Sequence, residues 1–443
     1  MITDVFESEK IVGIECYATD SEGIGGRIRE LVEDFNVVEI PDDIGRKYVD
    51  DGKYLIAQVT KSSWDTHNLV RDMARNLRVS STRIGWAGTK DKRAVTTQLI
   101  SLWDTSESDL EKISMRGIEI SAVGRSNSKI ALGDLVGNRF IIIIRDIGLS
   151  SDEVDKRLDD ITMQTKKIGG FVNFFGIQRF GSRRPVTHVV GKLLLEGDFE
   201  GAAYTYIAKA YKDENEDTKV VRNAVWESRD VAQGIETFPL SLRFERAMLH
   251  HLDKCPEDYV GSFMALSPNL QKLFIHAFQS YMFNRILSAR IMEGIPLNEA
   301  IIGDVVCFRN EQGLPDAKKV QTITEKDLKA VNRLIAKGRA WVTAPILGYE
   351  SEYSGGRMGE IEKRIVEESG IELSAFRMEA FPEISSKGLR REILTVVVPA
   401  FEVSEDELHE GKVKVTASFS LPKGCYATTV LREYMKGNPL DLS

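Results

Sequence analysis

Short runs rich in β-formers at residues 11–16, 36–40 and 54–60, with turn residues between them, predict three strands. A helical period follows. Leu69, Val70, Met73, Ala74 and Leu77 recur on one face, which predicts a helix over 66–78 with Asp65 or Thr66 as its N-cap. Strands are predicted again at 95–102, 118–123 and 139–144, and a helix at 152–168.

The middle of the chain reads differently. Helical periods dominate from Gly191 to about Lys337. In the clearest, 269–293, Leu270, Leu273, Phe274, Ala277, Phe278, Tyr281, Met282 and Ile286 form one apolar stripe, which is core rather than a binding platform. Short strands punctuate the middle at 305–308 and 341–344. Strand character returns at 393–398. In 412–421, Val413, Val415, Ala417, Phe419 and Leu421 share one face, and 427–435 reads as a closing helix. A β-rich start and end around a helical middle suggest one sheet built from both ends with an insertion between, although two consecutive α+β domains give a similar pattern. There is no internal repeat.

Composition narrows the classes. The 443 residues suit two or three domains, and 42% hydrophobic with 28% charged residues is an ordinary globular balance. The four cysteines, Cys16, Cys255, Cys307 and Cys425, form no C-x-x-C pair, which argues against a disulfide scaffold or zinc ribbon. The nearest approach to a metal-ligand set, His250, His251 and Cys255, lacks a second pair, so no metal is expected. Residues 1–10 carry Asp4, Glu7 and Glu9 and do not read as a signal peptide. The strongest apolar run, 140–144, is far short of the roughly 20 residues that cross a bilayer. The expectation is a soluble, cytoplasmic protein with no membrane partner. No feature assigns an oligomeric state.

No G-x-x-x-x-G-K-[ST], H-E-x-x-H or G-x-S-x-G is present, and Gly23–Gly26 lacks the full G-x-G-x-x-G. The informative stretch is 85–98, where Asp91 lies between Lys90 and Lys92 with Arg93 next. Cations beside a carboxylate favour its charged form, and a positioned carboxylate serves as nucleophile, base or metal ligand. The same spacing also suits a charged surface turn. A net charge of −8 argues against bulk binding to nucleic acid, but the total averages unlike regions. From Lys166 to Lys192 there are six basic residues (Lys166, Lys167, Arg179, Arg183, Arg184, Lys192) and no acidic ones, whereas 193–258 carries 14 acidic against eight basic. Phe171, Phe174, Phe175 and Phe180 are interleaved with these cations. Charge for phosphates with π-faces for bases is what unstacked RNA needs, while phenylalanines in the core with solvated cations is the other reading.

Four blocks carry a family resemblance. Ala87-Gly88-Thr89-Lys90-Asp91-Lys92-Arg93-Ala94-Val95-Thr96-Thr97-Gln98 resembles the catalytic signature of the TruD family of tRNA pseudouridine synthases. Asn173-Phe174-Phe175-Gly176-Ile177-Gln178-Arg179-Phe180-Gly181 resembles its second block, N-[YF]-[YF]-G-x-Q-R-F-G. Residues 419–433, with Cys425-Tyr426-Ala427-Thr428-Thr429, resemble the C-terminal block, and Glu33-Asp34-Phe35-Asn36-Val37-Val38-Glu39 resembles the entry segment. The resemblance, closest to the archaeal and eukaryotic branch, implies an α+β catalytic domain with a mixed, mainly antiparallel sheet flanked by helices. It implies division into 1–184, a largely helical insertion at 185–386, and 387–443. It implies Asp91 as the catalytic carboxylate, no cofactor, tRNA as substrate (probable target uridine-13 of the D-arm being the family's usual one), and a base flipped into an aromatic-lined pocket. Phe35, Asn173, Phe175 and Tyr426 would meet the nucleotide, with Lys90 and Arg179 as nearby cations. Arg29 stands where bacterial members often have lysine, which keeps the charge but changes its shape. Two other readings use the same residues. One is a non-catalytic RNA-binding or chaperone protein on this fold, against which the intact signature around Asp91 argues. The other is a metal-dependent hydrolase, for which no second ligand lies near Asp91 in sequence.

Overall fold

The computed structural model describes residues 4–42, 47–311 and 313–442; the first three residues of the acidic N-terminal stretch lie outside them. The chain divides into two compact units. A sheet unit takes Ser21–Met163, Val396–Gly437 and the residues from Asp441, and a helical unit takes the chain up to Asp20, Gln164–Thr395 and Asn438–Leu440. These breaks fall at 163/164 and 395/396, beside the 184/185 and 386/387 that the resemblance implies for the insertion.

Among the described residues the sheet unit has nine strands. Seven run in the order Ala400–Glu405, Val413–Pro422, Leu135–Ile147, Phe35–Pro41, Val95–Trp103, Tyr54–Ser62 and Ile118–Ser126. Arg27–Ile28 pairs with Leu135–Ile147, and Ile84–Trp86 with Val95–Trp103. Only Phe35–Pro41 and Val95–Trp103 are parallel, so the sheet is mixed and mainly antiparallel. Both β-rich ends of the chain share it, through pairs such as Phe419 with Phe140.

Alternation decides what each face buries. Leu55, Ala57 and Val59 of one strand pack with Ile100 and Leu102 under Leu69, Val70, Met73 and Ala74 of the helix Thr66–Leu77. Burying the leucine, isoleucine, valine and methionine side chains among them contributes about 1.5–3 kcal/mol each. Asp65 caps that helix, its carboxylate accepting from the His67 and Asn68 amides, and Arg78 ends it in the left-handed region. Ile56, with the opposite parity, packs with Ala87, Ile130 and Leu135. The closing helix Ala427–Met435 is buried along its whole length.

The helical unit is built on Pro268–Met292, capped by Ser267 and packed against Thr187–Glu196. The expected stripe is its core: Phe274, Ala277, Phe278, Met282 and Ile286 are all buried. A four-stranded antiparallel sheet runs Pro315–Thr322, Val305–Arg309, Ala340–Ile346, Leu389–Glu392.

Two strand expectations are corrected. Residues 11–16 form no strand. The Ile11, Val12, Gly13 and Ile14 amides close turns onto the carbonyls of Glu7, Glu9 and Lys10, and helix side chains meet other groups of the segment in place of a ladder: Asn284 Nδ2 donates to Val12 O, Ser288 Oγ to Gly13 O, and Glu15 N to Ser288 Oγ. Residues 393–398 hold only the two-residue strand Leu394–Thr395, paired with Phe171–Val172. Val396 and Val398 are exposed where the chain passes between units, and the next strand starts after Pro399, at Ala400. Proline supplies no ladder N–H and holds the preceding residue extended.

Candidate active site

The loop carrying Asp91 is bound along its inner edge. Ala87 O accepts from Gly133 N at 2.8 Å, and Gly88 O from Gln98 Nε2 at 3.2 Å. Lys90 N donates to Thr66 Oγ1 at 3.0 Å, and Ala94 O accepts from Ser63 N at 3.3 Å. Lys90 does not face outward. Its Nζ lies 2.5 Å from Glu39 Oε2, with both side chains buried, so one buried charge neutralises the other. Lys61, on the strand Tyr54–Ser62, reaches under the loop. Its Nζ donates to Trp64 O at 2.5 Å, Asp91 O at 2.9 Å and Lys90 O at 3.5 Å. Burial pushes this ammonium down to about pKa 8, with Asp91 and Asp65 opposing and Lys90 adding.

The loop's outer side presents the carboxylate. The Asp91 side chain is 51% exposed, and its Oδ1 stands 3.5 Å from Arg29 Nη2. Arg29 is buried, in the left-handed region at φ 64°, and its Nε has no hydrogen-bond partner among the described residues. A bulky residue held there is strained, and such strain gathers at functional sites. Burial lowers its guanidinium pKa, with Asp91 opposing and Arg93 adding. The same guanidinium lies over the Phe35 ring at 4.0 Å, so Arg29 joins two of the expected residues. Phe35 opens the strand Phe35–Pro41 and packs edge-on against Phe140, which stacks on Phe419. The turn before Phe35 is fixed by buried Asp34, which accepts from Leu31 N at 2.8 Å and Arg145 Nε at 2.9 Å. Tyr426, half-buried, is the N-cap residue of Ala427–Met435, and its carbonyl accepts from Thr429 Oγ1 at 2.7 Å. Its turn is tied to the Asp91 loop through one intermediary: Lys423 Nζ donates to Gly133 O, and Gly133 N to Ala87 O.

The remaining expected residues belong to the helical unit. Asn173 follows the strand Phe171–Val172 and is buried. Its Nδ2 donates to Glu392 O and Glu392 Oε1, both at 3.1 Å, and its Oδ1 accepts from Arg391 Nη2 at 2.6 Å. Burial pushes the Glu392 carboxyl above its usual range, with Arg391 and Asn173 opposing. Phe175 is buried against Phe283 with the Arg391 guanidinium 4.0 Å from its ring, and its amide donates to Asn284 Oδ1. Arg179, half-buried in the short turn Ile177–Arg179, has an Nε without a hydrogen-bond partner among the described residues.

The basic aromatic stretch resolves toward core. Phe171, Phe174, Phe175 and Phe180 are all buried. Arg184 is turned inward, donating to the carbonyls of Thr205, Tyr206 and Lys209. Lys192 pairs with Glu196 one turn along its own helix. Lys166, Lys167 and Arg183 keep the exposed charge.

Sequence reasoning missed Lys61, Glu39, Arg391 and Glu392. Lys61 carried a signal. The inward series Leu55, Ala57, Val59 continues onto it, and a lysine in a core position needs a reason. Arg391 and Glu392 lie about 218 residues from Asn173 and carried none. Among the described residues no group of three His, Cys, Asp or Glu side chains could hold a metal; His251 instead pairs with Asp258. No helix among them is long and apolar enough to cross a membrane.

Comparison with known proteins adds to this geometry. The family model described as tRNA pseudouridine synthase D (TruD) matches residues 11–434. A protein of Methanococcoides burtonii described as a probable tRNA pseudouridine synthase D is 51% identical over 435 residues, covering 98% of each chain. One of Methanosarcina mazei with the same description is 52% identical over 440 residues, covering 99% of this chain and all of that one. A crystal structure from M. mazei, described as that of the "Putative tRNA pseudouridine synthase D (TruD)", superposes with a TM-score of 0.87 at 52% identity over 99% of this chain. With the signature, the mixed sheet and these matches in agreement, the chain belongs to the TruD family of tRNA pseudouridine synthases.

Proposed function

We propose that this protein acts in the cytoplasm on tRNA, with uridine-13 of the D-arm as its target, and that Asp91 is the catalytic carboxylate. The observation that carries the proposal is the Asp91 loop, whose inner edge is fastened while its carboxylate faces solvent beside a strained arginine. The reaction breaks the N1–C1′ bond, turns the uracil over and joins C5 to C1′. The C5 proton leaves and N1 gains one, so the change is an isomerisation. Asp91 serves it either by adding covalently to the nucleotide or as a base at the sugar that generates a glycal.

The uridine must leave its stack, and aromatic contacts offset that cost. Phe35 and Tyr426 are proposed as faces of the pocket, with Arg29 orienting Asp91 from above the Phe35 ring. Lys90 acts indirectly, through Glu39. For Phe175 and Arg179 the proposal rests on the resemblance of their block. For Asn173 the saturated amide supports a role in holding its own turn to Arg391 and Glu392. We also propose that the chain is one catalytic domain interrupted by an insertion.

Release of tritium from 5-labelled uridine in tRNA tests the central claim. Asp91→Asn should fold, bind tRNA and release no tritium above background. Appreciable release by this variant would remove Asp91 from the chemistry.

A further inference from the structure

A buried lysine normally has a carboxylate partner, because an ammonium taken out of water alone costs several kcal/mol. Among the described residues Lys61 has none in contact: its three hydrogen-bond acceptors there are all peptide carbonyls, those of Trp64, Lys90 and Asp91. An ammonium has three N–H groups, so its donors are matched. Two of the acceptors flank the Asp91 Cα, one being the carbonyl of Asp91 itself. With those carbonyls held inward, the Asp91 side chain has to leave on the outer side, where it is found. We infer that Lys61 is a positioning residue for the reaction: its charged ammonium fixes the Lys90–Asp91 backbone and so presents the Asp91 carboxylate in one orientation. This rests on the reading of Asp91 as the catalytic group.

The charges facing Lys61 are few. Asp91 and Asp65, the cap of Thr66–Leu77, favour its ammonium form, and Lys90 opposes it. Lys90 is itself neutralised by Glu39, and Asp91 is shared with Arg29. Across the neighbouring strands stand Thr96 and Ile118, which add no charge. Loss of the Lys61 proton converts its three donors to two and removes the charge that holds the carbonyls. Activity should therefore fall as pH rises through about 8. Stability should move the other way. Between about 8 and the ordinary value of 10.5 the unfolded chain binds more protons than the folded one, so the contribution of this group to stability rises with pH. A merely structural clamp would give no alkaline limb in the rate.

The test is single-turnover tritium release from 5-labelled tRNA between about pH 6 and pH 10. It compares wild type, Lys61→Met, Lys61→Arg and Asp91→Asn, with tRNA affinity and melting temperature measured on each. The wild-type rate should decline above about pH 8. Lys61→Met should lose about 10²-fold in rate with tRNA affinity unchanged, as expected when a reacting group is misplaced, and should lose the alkaline limb. Lys61→Arg stays charged throughout the range, and should recover part of the rate while the limb disappears from near pH 8. Should Lys61→Met fail to fold, the arginine variant decides the matter: a limb that stays at the same pH belongs to another group and overturns the inference. Wild-type rate in Lys61→Met overturns it as well. The control separates the two levels: activity in Asp91→Asn sinks the reading of the site itself, whereas an inactive Asp91→Asn beside a fully active Lys61→Met sinks only the role of Lys61.

Discussion

The loop around Asp91 and the segment from Asn173 to Gly181 look alike in sequence: small residues, cations and one polar side chain suited to a nucleotide. The structure uses them in opposite ways. In the first, backbone and buried cations face inward and the Asp91 carboxylate faces out. In the second, the polar side chain itself is turned in, with Asn173 saturated by Arg391 and Glu392 and the phenylalanines buried. Two buried titratable groups beside these segments are kept in opposite states. Lys61 under the first keeps its charge below about pH 8, its N–H groups met by carbonyls while burial lowers its pKa. His188 beside the second is wedged against Phe180 and Tyr281 and held neutral, its pKa pushed down to about 4 mainly by burial. A motif therefore marks where a fold invests its sequence, and burial decides whether the residue acts or supports.

If this contrast is right, substitution should cost rate in one segment and stability in the other. The largest effect belongs to Asp91→Asn: a rate loss of at least about 10²–10⁴-fold, with melting changed by no more than about 0.5 kcal/mol, because the side chain is half in water. A large loss of stability in this variant would place Asp91 on the supporting side. Next is the pair beneath it. Lys90→Met leaves Glu39 buried without its counter-ion, with the Leu99 amide as its remaining partner, which should cost about 3–5 kcal/mol of unfolding free energy in denaturant titrations. Glu39→Gln added to Lys90→Met should restore most of it. If both variants are equally stable, the pair does not hold the loop.

Much of this was legible in the sequence where local rules act. The helix Thr66–Leu77 is capped by Asp65, one of the two expected candidates, and Ala427–Met435 has the expected bounds, because capping chemistry and a 3.6-residue period are written in neighbouring residues. The strand Val413–Pro422 follows from alternation in the same way. The segment 11–16 was not legible. Val12, Ile14 and Cys16 are buried as a strand would bury them, but the amides of 11–14 turn back onto Glu7, Glu9 and Lys10, and the Val12 carbonyl and Glu15 amide are met by Asn284 and Ser288, about 272 residues away. The site divides along the same line. Asp91 and Phe35 could be picked from their blocks, while the Arg29 pairing depends on a left-handed backbone that no propensity predicts for arginine. Asn173 was expected to meet the nucleotide, and the partners it has in the structure arrive from a strand far along the chain.

The two smaller effects probe the supporting side. His188 takes up a proton in the unfolded chain near pH 6.5 but in the folded one only near 4, so its contribution to stability is full above about 6.5 and is lost as pH falls toward 4. The difference amounts to about 3 kcal/mol, at about 1.4 kcal/mol per pKa unit. Denaturant titrations at both ends of this window should show that loss in wild type and a smaller one in His188→Phe. An identical loss in both would assign the acid limb to other groups.

Asn173→Ala is expected to have the smallest effect, and it discriminates most sharply between acting and supporting. It removes two donors from Glu392 and the acceptor of Arg391, leaving both in a buried setting without that partner, at a cost of about 1–3 kcal/mol. Asn173→Asp separates the roles further. It keeps the acceptor for Arg391 but sets a carboxylate against Glu392, a buried carboxyl already pushed upward. If Asn173 supports its turn, Asn173→Asp should be the less stable of the two variants at neutral pH and regain ground as pH falls and one carboxyl takes a proton. Tritium release should then track the folded fraction in both. If instead Asn173→Ala melts like wild type and loses its rate, the amide meets the nucleotide directly, and the contrast between the two segments fails at that residue.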